Sequence, residues 1–413
     1  MRRRNNQDSM ATVLAETQEK WEQQGHMFIV ADGMGAHAAG ELASRLAAEL
    51  IPHHYNKLLR LVPAEALVQA IAAANNEIFR RGQANPEFRN MGTTTSVLSI
   101  LPEGAIVAHV GDSRVYRLRG NQLEQITFDH SLVWEMQATG EVSEDTLKSG
   151  VIPKNVITRS LGPNPNVDID LEGPFALRTG DRFLLCSDGL TGQVTDEELG
   201  VLMRVLPPQK AVQALVDLAN LRGGPDNITV IIVEVMGTEL ETKDLGFKRT
   251  ASPVSKKVSR PFPVGLGVAG AVGVLAGAVL LVLQQWPLAA ISAAIGIISL
   301  IIGFVRRGGL KFDSEFSGDR YGKGPHRKYV IKADSGFVDR LAGTIQALRD
   351  AAQDNKWKID WDDINSQQEK GRAAEKSNDK SLAIQIYATI IVEIMNQARK
   401  RRDEKSSDSS IDY

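Results

Sequence analysis

Residues 93–127 read TTTSVLSILPEGAIVAHVGDSRVYRLRGNQLEQIT. The Val, Ile, Leu and Thr in Thr93–Leu101, Ala105–Val110 and Arg114–Leu118 give these runs strand character. Pro102-Glu103-Gly104 and Gly120-Asn121 break the stretch. Connections of two or three residues cannot hold a parallel crossover, which takes about a dozen residues or more. The stretch therefore reads as an antiparallel meander. Working outward, similar runs at Met27–Ala31, Arg182–Cys186 and Asn227–Val235 read as further strands. Helical periodicity falls at Gly40–Ile51, Ala64–Arg81, Ser131–Ala138, Asp196–Val205 and Gln209–Leu221, with Thr195 and Glu198 forming a capping box before the fourth. The class is α+β, and residues 1–236 form one folded unit.

The chain of 413 residues is 43% hydrophobic and 24% charged, which suits globular domains and excludes wholesale disorder. A net charge of −2 gives no global basic field, so nucleic acid is a poor candidate partner. The single cysteine, Cys186, excludes an intramolecular disulfide framework and a Cys-pair zinc site. Met1 is followed by three Arg and then polar residues, which is not the pattern of a signal peptide.

Residues 237–263 form a polar, Lys-rich linker. After it, 264–283 is twenty residues without a charge, Gln284-Gln285-Trp286-Pro287 intervenes, and 288–305 adds eighteen more. Each stretch can cross a hydrocarbon core of about 30 Å as a helix, and the short break makes them a transmembrane hairpin at 264–305. Lys256, Lys257 and Arg260 precede it and Arg306, Arg307 and Lys311 follow it. The positive-inside rule then places both flanks in the cytoplasm, at an inner or cytoplasmic membrane. Residues 306–400 read as a helical cytoplasmic region, with a tetratricopeptide-like helical pair at 371–400 turning at Ser377-Asn378-Asp379. Residues 401–413 read as a disordered tail.

Four acids punctuate the ends of strand-like runs: Asp32 in VADGMG, Asp112 in VGDSR, Asp188 in CSDGL and Asp226 in GPDNI. Each alone is an ordinary turn residue. Four of them beside strands of one sheet system can converge on a single edge, where their repulsion calls for cations. Carboxylates with no His or Cys point to Mg²⁺ or Mn²⁺ in place of zinc, and to hydrolysis at phosphorus.

The ordered set RRNNQDS, VADGMGAHAAGELAS, MGTTTSVLSI, VAHVGDSRVYRL, NVITRSLG, LLCSDGLTGQV and GGPDNITVIIV, over residues 1–236, resembles the metal-dependent Ser/Thr protein phosphatases of the 2C type in their bacterial form. The resemblance implies a four-layer α-β-β-α sandwich of two antiparallel sheets, with two or three Mn²⁺ or Mg²⁺ ions at one end. It implies Asp32 as the carboxylate bridging two ions, the Gly33 carbonyl and Asp188 and Asp226 as further direct ligands, and Asp112 with Asp188 at a third ion. Arg3 matches the arginine that grips the substrate phosphate. Asp8 and Gln7 match an acidic pair that holds metal-bound water; Gln7 departs from the usual Glu and removes a charge.

The resemblance also implies attack on phosphorus by a water shared between the ions, and substrates that are phosphorylated proteins, such as Ser/Thr kinases or their targets near the membrane. Residues 128–165, with Arg159 near the return, match a flap that shapes substrate choice. Met34 stands where eukaryotic members carry a histidine. His37 reads as a surface loop residue, His109 as a satisfied core residue and Cys186 as core packing. The family places a strand before the arginine, whereas Arg3 lies two residues from Met1: either Met1 is not the true start or, if it is, one sheet lacks an edge strand. Gln7 and that short N-terminus leave open a second reading, a weak pseudophosphatase acting as a phosphoprotein-binding scaffold.

Overall fold

The computed structural model describes residues 5–35, 38–140, 153, 156–242 and 321–408, with side chains through residue 400. Strands β1 (Asp8–Val13), β2 (His26–Met34), β3 (Gly92–Thr93), β4 (Thr95–Leu101), β5 (Gly104–Val110) and β8 (Asp170–Phe175) form one sheet. Its order is β1-β2-β4-β5-β8, with β3 beside β2. A second sheet, ordered β10-β9-β6-β7-β11, contains β6 (Arg114–Arg119), β7 (Gln122–Gln125), β9 (Arg182–Cys186), β10 (Val230–Glu234) and β11 (Arg327–Val330). All pairings are antiparallel.

The two sheets face one another and helices cover both outer faces, because nearly every central strand is apolar on both sides. In β2, Phe28 and Val30 point into the core between the sheets, while Met27, Ile29 and Ala31 point outward beneath α2 (Ala39–Tyr55) and α3 (Pro63–Ala84). In β9, Phe183 and Leu185 face the first sheet, and Leu184 and Cys186 face α6 (Asp196–Val205) and α7 (Pro208–Leu221). Period-two side chains with both faces buried give the continuous apolar runs seen in the sequence. The capping box of α6 is formed: the Glu198 N–H donates to Thr195 Oγ1 and the Thr195 N–H to Glu198 Oε2. Short helices α1 (Gln18–Gln24), α4 (Leu132–Ala138) and α5 (Asp188–Thr191) complete this part.

The expected meander is corrected. β4 pairs with β5 and β6 with β7, but β5 and β6 lie in different sheets. The chain crosses from one sheet to the other at Gly111-Asp112-Ser113, where Gly111 takes φ +115°, which other residues rarely adopt. A short connection excluded a parallel crossover, but it did not require the two strands to pair.

The C-terminal part was expected as a separate helical region. Instead, residues 1–252 and 318–413 form one compact unit. β11 extends the second sheet, and α8 (Ser335–Asp354), α9 (Trp361–Lys376) and α10 (Lys380–Asp408) share a core with α6 and α7. Phe337, Leu341, Ile345, Tyr387, Ile391 and Ile394 are all buried there. The helical pair at 371–400 does turn at Ser377–Asp379, and its second helix continues to Asp408, into the stretch read as a disordered tail. The hairpin at 264–305 lies outside the described residues, and among those described no helix is long and apolar enough to cross a membrane.

Candidate metal centre

The site is built where the ends of both sheets meet. In the β1–β2 ladder Asp8 stands directly opposite Asp32. Like charges in that position destabilise a ladder unless something offsets them. The Asp32 main chain is fixed on the other side: its N–H donates to Thr94 Oγ1 at 2.9 Å, and its carbonyl accepts from the Thr94 N–H at 2.9 Å and from Thr93 Oγ1 at 3.0 Å. The next residue must be glycine, since a Cβ on Gly33 would lie 2.0 Å from the Gly40 carbonyl oxygen and 2.6 Å from that of Gln7.

The second sheet contributes Asp188, at the start of α5, and Asp226, in the turn before β10. Asp8 ties the two sheets together, because its Oδ2 accepts from Ser187 Oγ and Thr229 Oγ1, each at 2.8 Å. The Gln7 N–H donates to Asn227 Oδ1 at 3.0 Å, fastening the same junction. Asp112 arrives on the crossing between sheets, where Thr94 Oγ1 and Ser113 Oγ lie 2.7 Å apart.

Electrostatics show how closely these acids gather. Burial raises the Asp32 carboxyl well above its ordinary value, and the charges of Asp8, Asp188, Asp112 and Asp226 raise it further. Burial, with Asp188 and Asp129, pushes Asp112 up to about 7. Asp8 is also raised, by burial first and by Asp226 and Asp188, against the opposing hydrogen bonds from Thr229 and Ser187. Among the described residues neither Asp8 Oδ1 nor Asp112 Oδ1, both buried, has a hydrogen-bond donor.

Such a cluster fits hard divalent cations, which replace the missing donors and cancel the repulsion. Among the described residues no three His, Cys, Asp or Glu side chains close into a ready-made cage.

A second polar string braces the Asp112 loop. The Gly111 N–H donates to His130 Nδ1 at 3.0 Å, and the His130 N–H donates to the Gly111 carbonyl at 2.7 Å. With Nδ1 accepting, Nε2 carries the proton and donates to Asp170 Oδ2 at 3.0 Å, and Arg159 donates to Asp170 Oδ1 at 3.0 Å. Although burial works against it, the Asp170 carboxyl is held down at about 2 by the hydrogen bond from His130 and by the Arg159 guanidinium beside it.

Sequence reading gave His130 and Asp170 no role, because their partners lie 19 and 40 residues away along the chain. His109 is fully buried, bonded to Ser96 Oγ and the Gly111 carbonyl, and pushed down to about 3 by burial. Cys186 is buried and its thiol is pushed up to about 12 by burial, so it packs and does not react. Asp8, Asp32, Asp112, Asp188 and Asp226 are brought together; Gln7 lies at the same junction, its side chain 3.4 Å from the Gly35 carbonyl; Arg3 and His37 lie outside the described residues.

This combination of a two-sheet sandwich and an aspartate cluster at its end defines a metal-dependent phosphatase class. A model of the protein phosphatase 2C family matches residues 2–218. The serine/threonine phosphatase stp of Listeria welshimeri is 38% identical over 212 residues, covering 50% of this chain and 83% of that protein. The protein phosphatase PhpP of Streptococcus pneumoniae is 36% identical over 219 residues, covering 52% and 88%. The solved Mycobacterium tuberculosis serine/threonine phosphatase PstP/Ppp superposes with a TM-score of 0.50 at 31% identity, covering 57% of this chain and 95% of that one. The chain belongs to the protein phosphatase 2C family. It is a Ser/Thr phosphoprotein phosphatase whose cofactor is Mn²⁺ or Mg²⁺, two ions.

Proposed function

We propose that this phosphatase is tethered to a membrane by the 264–305 hairpin and hydrolyses phosphoserine and phosphothreonine in cytoplasmic proteins near that membrane, such as Ser/Thr kinases or their substrates. The observation that carries the site assignment is that Asp8, opposite Asp32 in the β1–β2 ladder, is bonded to Ser187 and Thr229, which brings the Asp188 and Asp226 turns of the second sheet to the same junction. On this reading Asp32, the Gly33 carbonyl, Asp188 and Asp226 would hold two ions, and Asp112 with Asp188 would hold a third. When bound, the ions supply Lewis-acid polarisation of the phosphoryl group and of the attacking water.

The chain's own residues supply placement. Asp8, held by Ser187 and Thr229, fixes the junction and, with Gln7, orients water. Arg3 grips the phosphate oxygens with its planar fork. The experiment is phosphate release from a phosphothreonine peptide by the full chain in detergent, with and without Mn²⁺, beside Asp188→Asn. Metal-dependent release abolished by the substitution is expected; release indifferent to both would sink the assignment.

Tethering is supported by the uncharged length of 264–305 and its basic flanks. It is also supported by connectivity, because residues on either side of that stretch fold into one compact unit and so must lie on the same side of any membrane. Two crossings satisfy that requirement. A tethered enzyme meets substrates at its own surface at raised effective concentration. Fractionation tests this directly: the full chain should sediment with membranes through alkaline carbonate washing, and release by the wash would overturn the tether.

A further inference from the structure

The chain re-enters the described fold at Tyr321, and the next ten residues form a strap across one side of the sandwich. Tyr321 bridges to Gly173 of β8, the edge of the first sheet. Buried Glu172 accepts from the Gly324 N–H at 2.7 Å and from His326 Nε2 at 3.0 Å. β11 then pairs with β7, covering what would otherwise be an edge of the second sheet. The strap ends at Ile331, which is buried against α6, with its carbonyl accepting from Arg204 at 2.9 Å.

The middle of the strap grips α4. The Arg327 guanidinium lies 3.9 Å above the Trp134 ring centroid and donates to Gln137 Oε1 at 3.0 Å. The His326 ring meets Phe128 edge-on at 5.4 Å, and Phe128 meets Trp134 edge-on at 5.2 Å. Trp134, 7% exposed, is the only buried side chain of α4. A seven-residue helix has no independent stability, so the strap is a principal support for this one.

At its start α4 is bonded to the return of the same excursion: the Leu132 N–H donates to the Val156 carbonyl, and Ser131 bridges to Ile157. Glu135 accepts from Thr158 Oγ1 at 2.6 Å, one residue before Arg159. The His130 backbone beside them holds the Gly111-Asp112 loop.

We infer that Arg327 and His326 are positioning residues for the phosphatase reaction: through Trp134 and Phe128 they set the placement of α4 and residues 156–159, and so tune recognition of the protein part of a phosphoprotein substrate. The segment 321–331, which follows the 264–305 stretch after a further fifteen residues, thereby governs substrate choice. This rests on the reading that α4 and residues 156–159 lie beside the bound substrate.

The test uses the full chain in detergent with Mn²⁺ and two substrates, a phosphothreonine peptide and p-nitrophenyl phosphate. Arg327→Ala should raise KM for the peptide about tenfold, the scale of a lost partly buried cation–π contact together with the hydrogen bond to Gln137, while kcat/KM for the small ester stays within about twofold. Arg327→Lys, which keeps the charge but not the planar fork, should recover part of the loss, about threefold of it. Lys328→Ala is the control on the same strand: its Nζ pairs with Glu124 at 3.2 Å, so peptide KM should be unchanged. Equal losses on both substrates, or no loss on either, would overturn the inference. An unsubstituted chain that hydrolyses neither substrate with Mn²⁺ would instead contradict the phosphatase assignment.

Discussion

The union of the C-terminal strap with the phosphatase sandwich can be measured at one contact. A Cβ built on Gly200 of α6 would lie 2.4 Å from Ile331 Cδ1 and 2.5 Å from Cγ1, inside any real contact distance. Ile331 is 1% exposed and has nowhere to swing. Gly200→Ala alone therefore sets a gain of about 1 kcal/mol in helix propensity against an overpacking cost of about 1–3 kcal/mol, for a net loss of about 1 kcal/mol. Ile331→Ala alone removes a buried side chain and leaves a cavity, at a cost of about 3 kcal/mol. Together, the new methyl occupies space that Ile331 vacated and the clash disappears, so the double variant should lose only about 2 kcal/mol, not the additive 4. The assay is equilibrium urea unfolding of the full chain in detergent, followed by tryptophan fluorescence, completed as a double-mutant cycle. A coupling near 2 kcal/mol is expected on this arithmetic. Additive losses, or a separate transition for the C-terminal helices, would refute the shared core.

Three further outcomes are expected. Because burial pushes Asp112 up to about 7 and the Asp32 carboxyl is raised well above its ordinary value, Mn²⁺ binding at pH 7 should release protons, seen as a buffer-dependent heat in titration calorimetry and reduced in Asp112→Asn. His130→Ala should lower Mn²⁺ affinity by about 10-fold, the lower end of the usual cost of losing an outer partner, since it removes the ring acceptor of the Gly111 N–H and leaves only the main-chain bond to the Gly111 carbonyl; unchanged affinity in the same titration would refute the bracing role. Asp217 on α7 is paired with Arg399 on α10, yet burial pushes it up to about 6. Its folded value is above its unfolded one, so its contribution to stability is fully present below about 4 and is lost as pH rises through 6; unfolding of Asp217→Asn should show a flatter pH slope across that window.

The sequence made the central strands and the aspartates legible for the same reason. β2, β4, β5 and β9 are buried on both faces and so stand out as apolar runs; Asp32, Asp112 and Asp188 sit where three of them end, and Asp226 just before β10 begins. The capping box located α6 because Thr195 and Glu198 act locally. What escaped is non-local or weakly patterned. The strand Arg327–Val330 is short, half charged, and pairs with residues some 200 positions earlier. β8 contains Gly173 and Pro174, which argue against a strand by propensity. The switch between sheets at Gly111–Ser113 leaves no mark that separates it from a hairpin turn, and the His130–Asp170 string exists only once both sheets have formed.

The central claim is that the aspartates of both sheets meet around divalent ions. Anomalous diffraction at the manganese edge, from crystals of the full chain soaked in Mn²⁺, tests it most directly. Two strong peaks sharing Asp32, with Asp188 and Asp226 beside them, are expected. An anomalous map with no peak in contact with Asp32, or with manganese bound only elsewhere on the chain, would contradict the account.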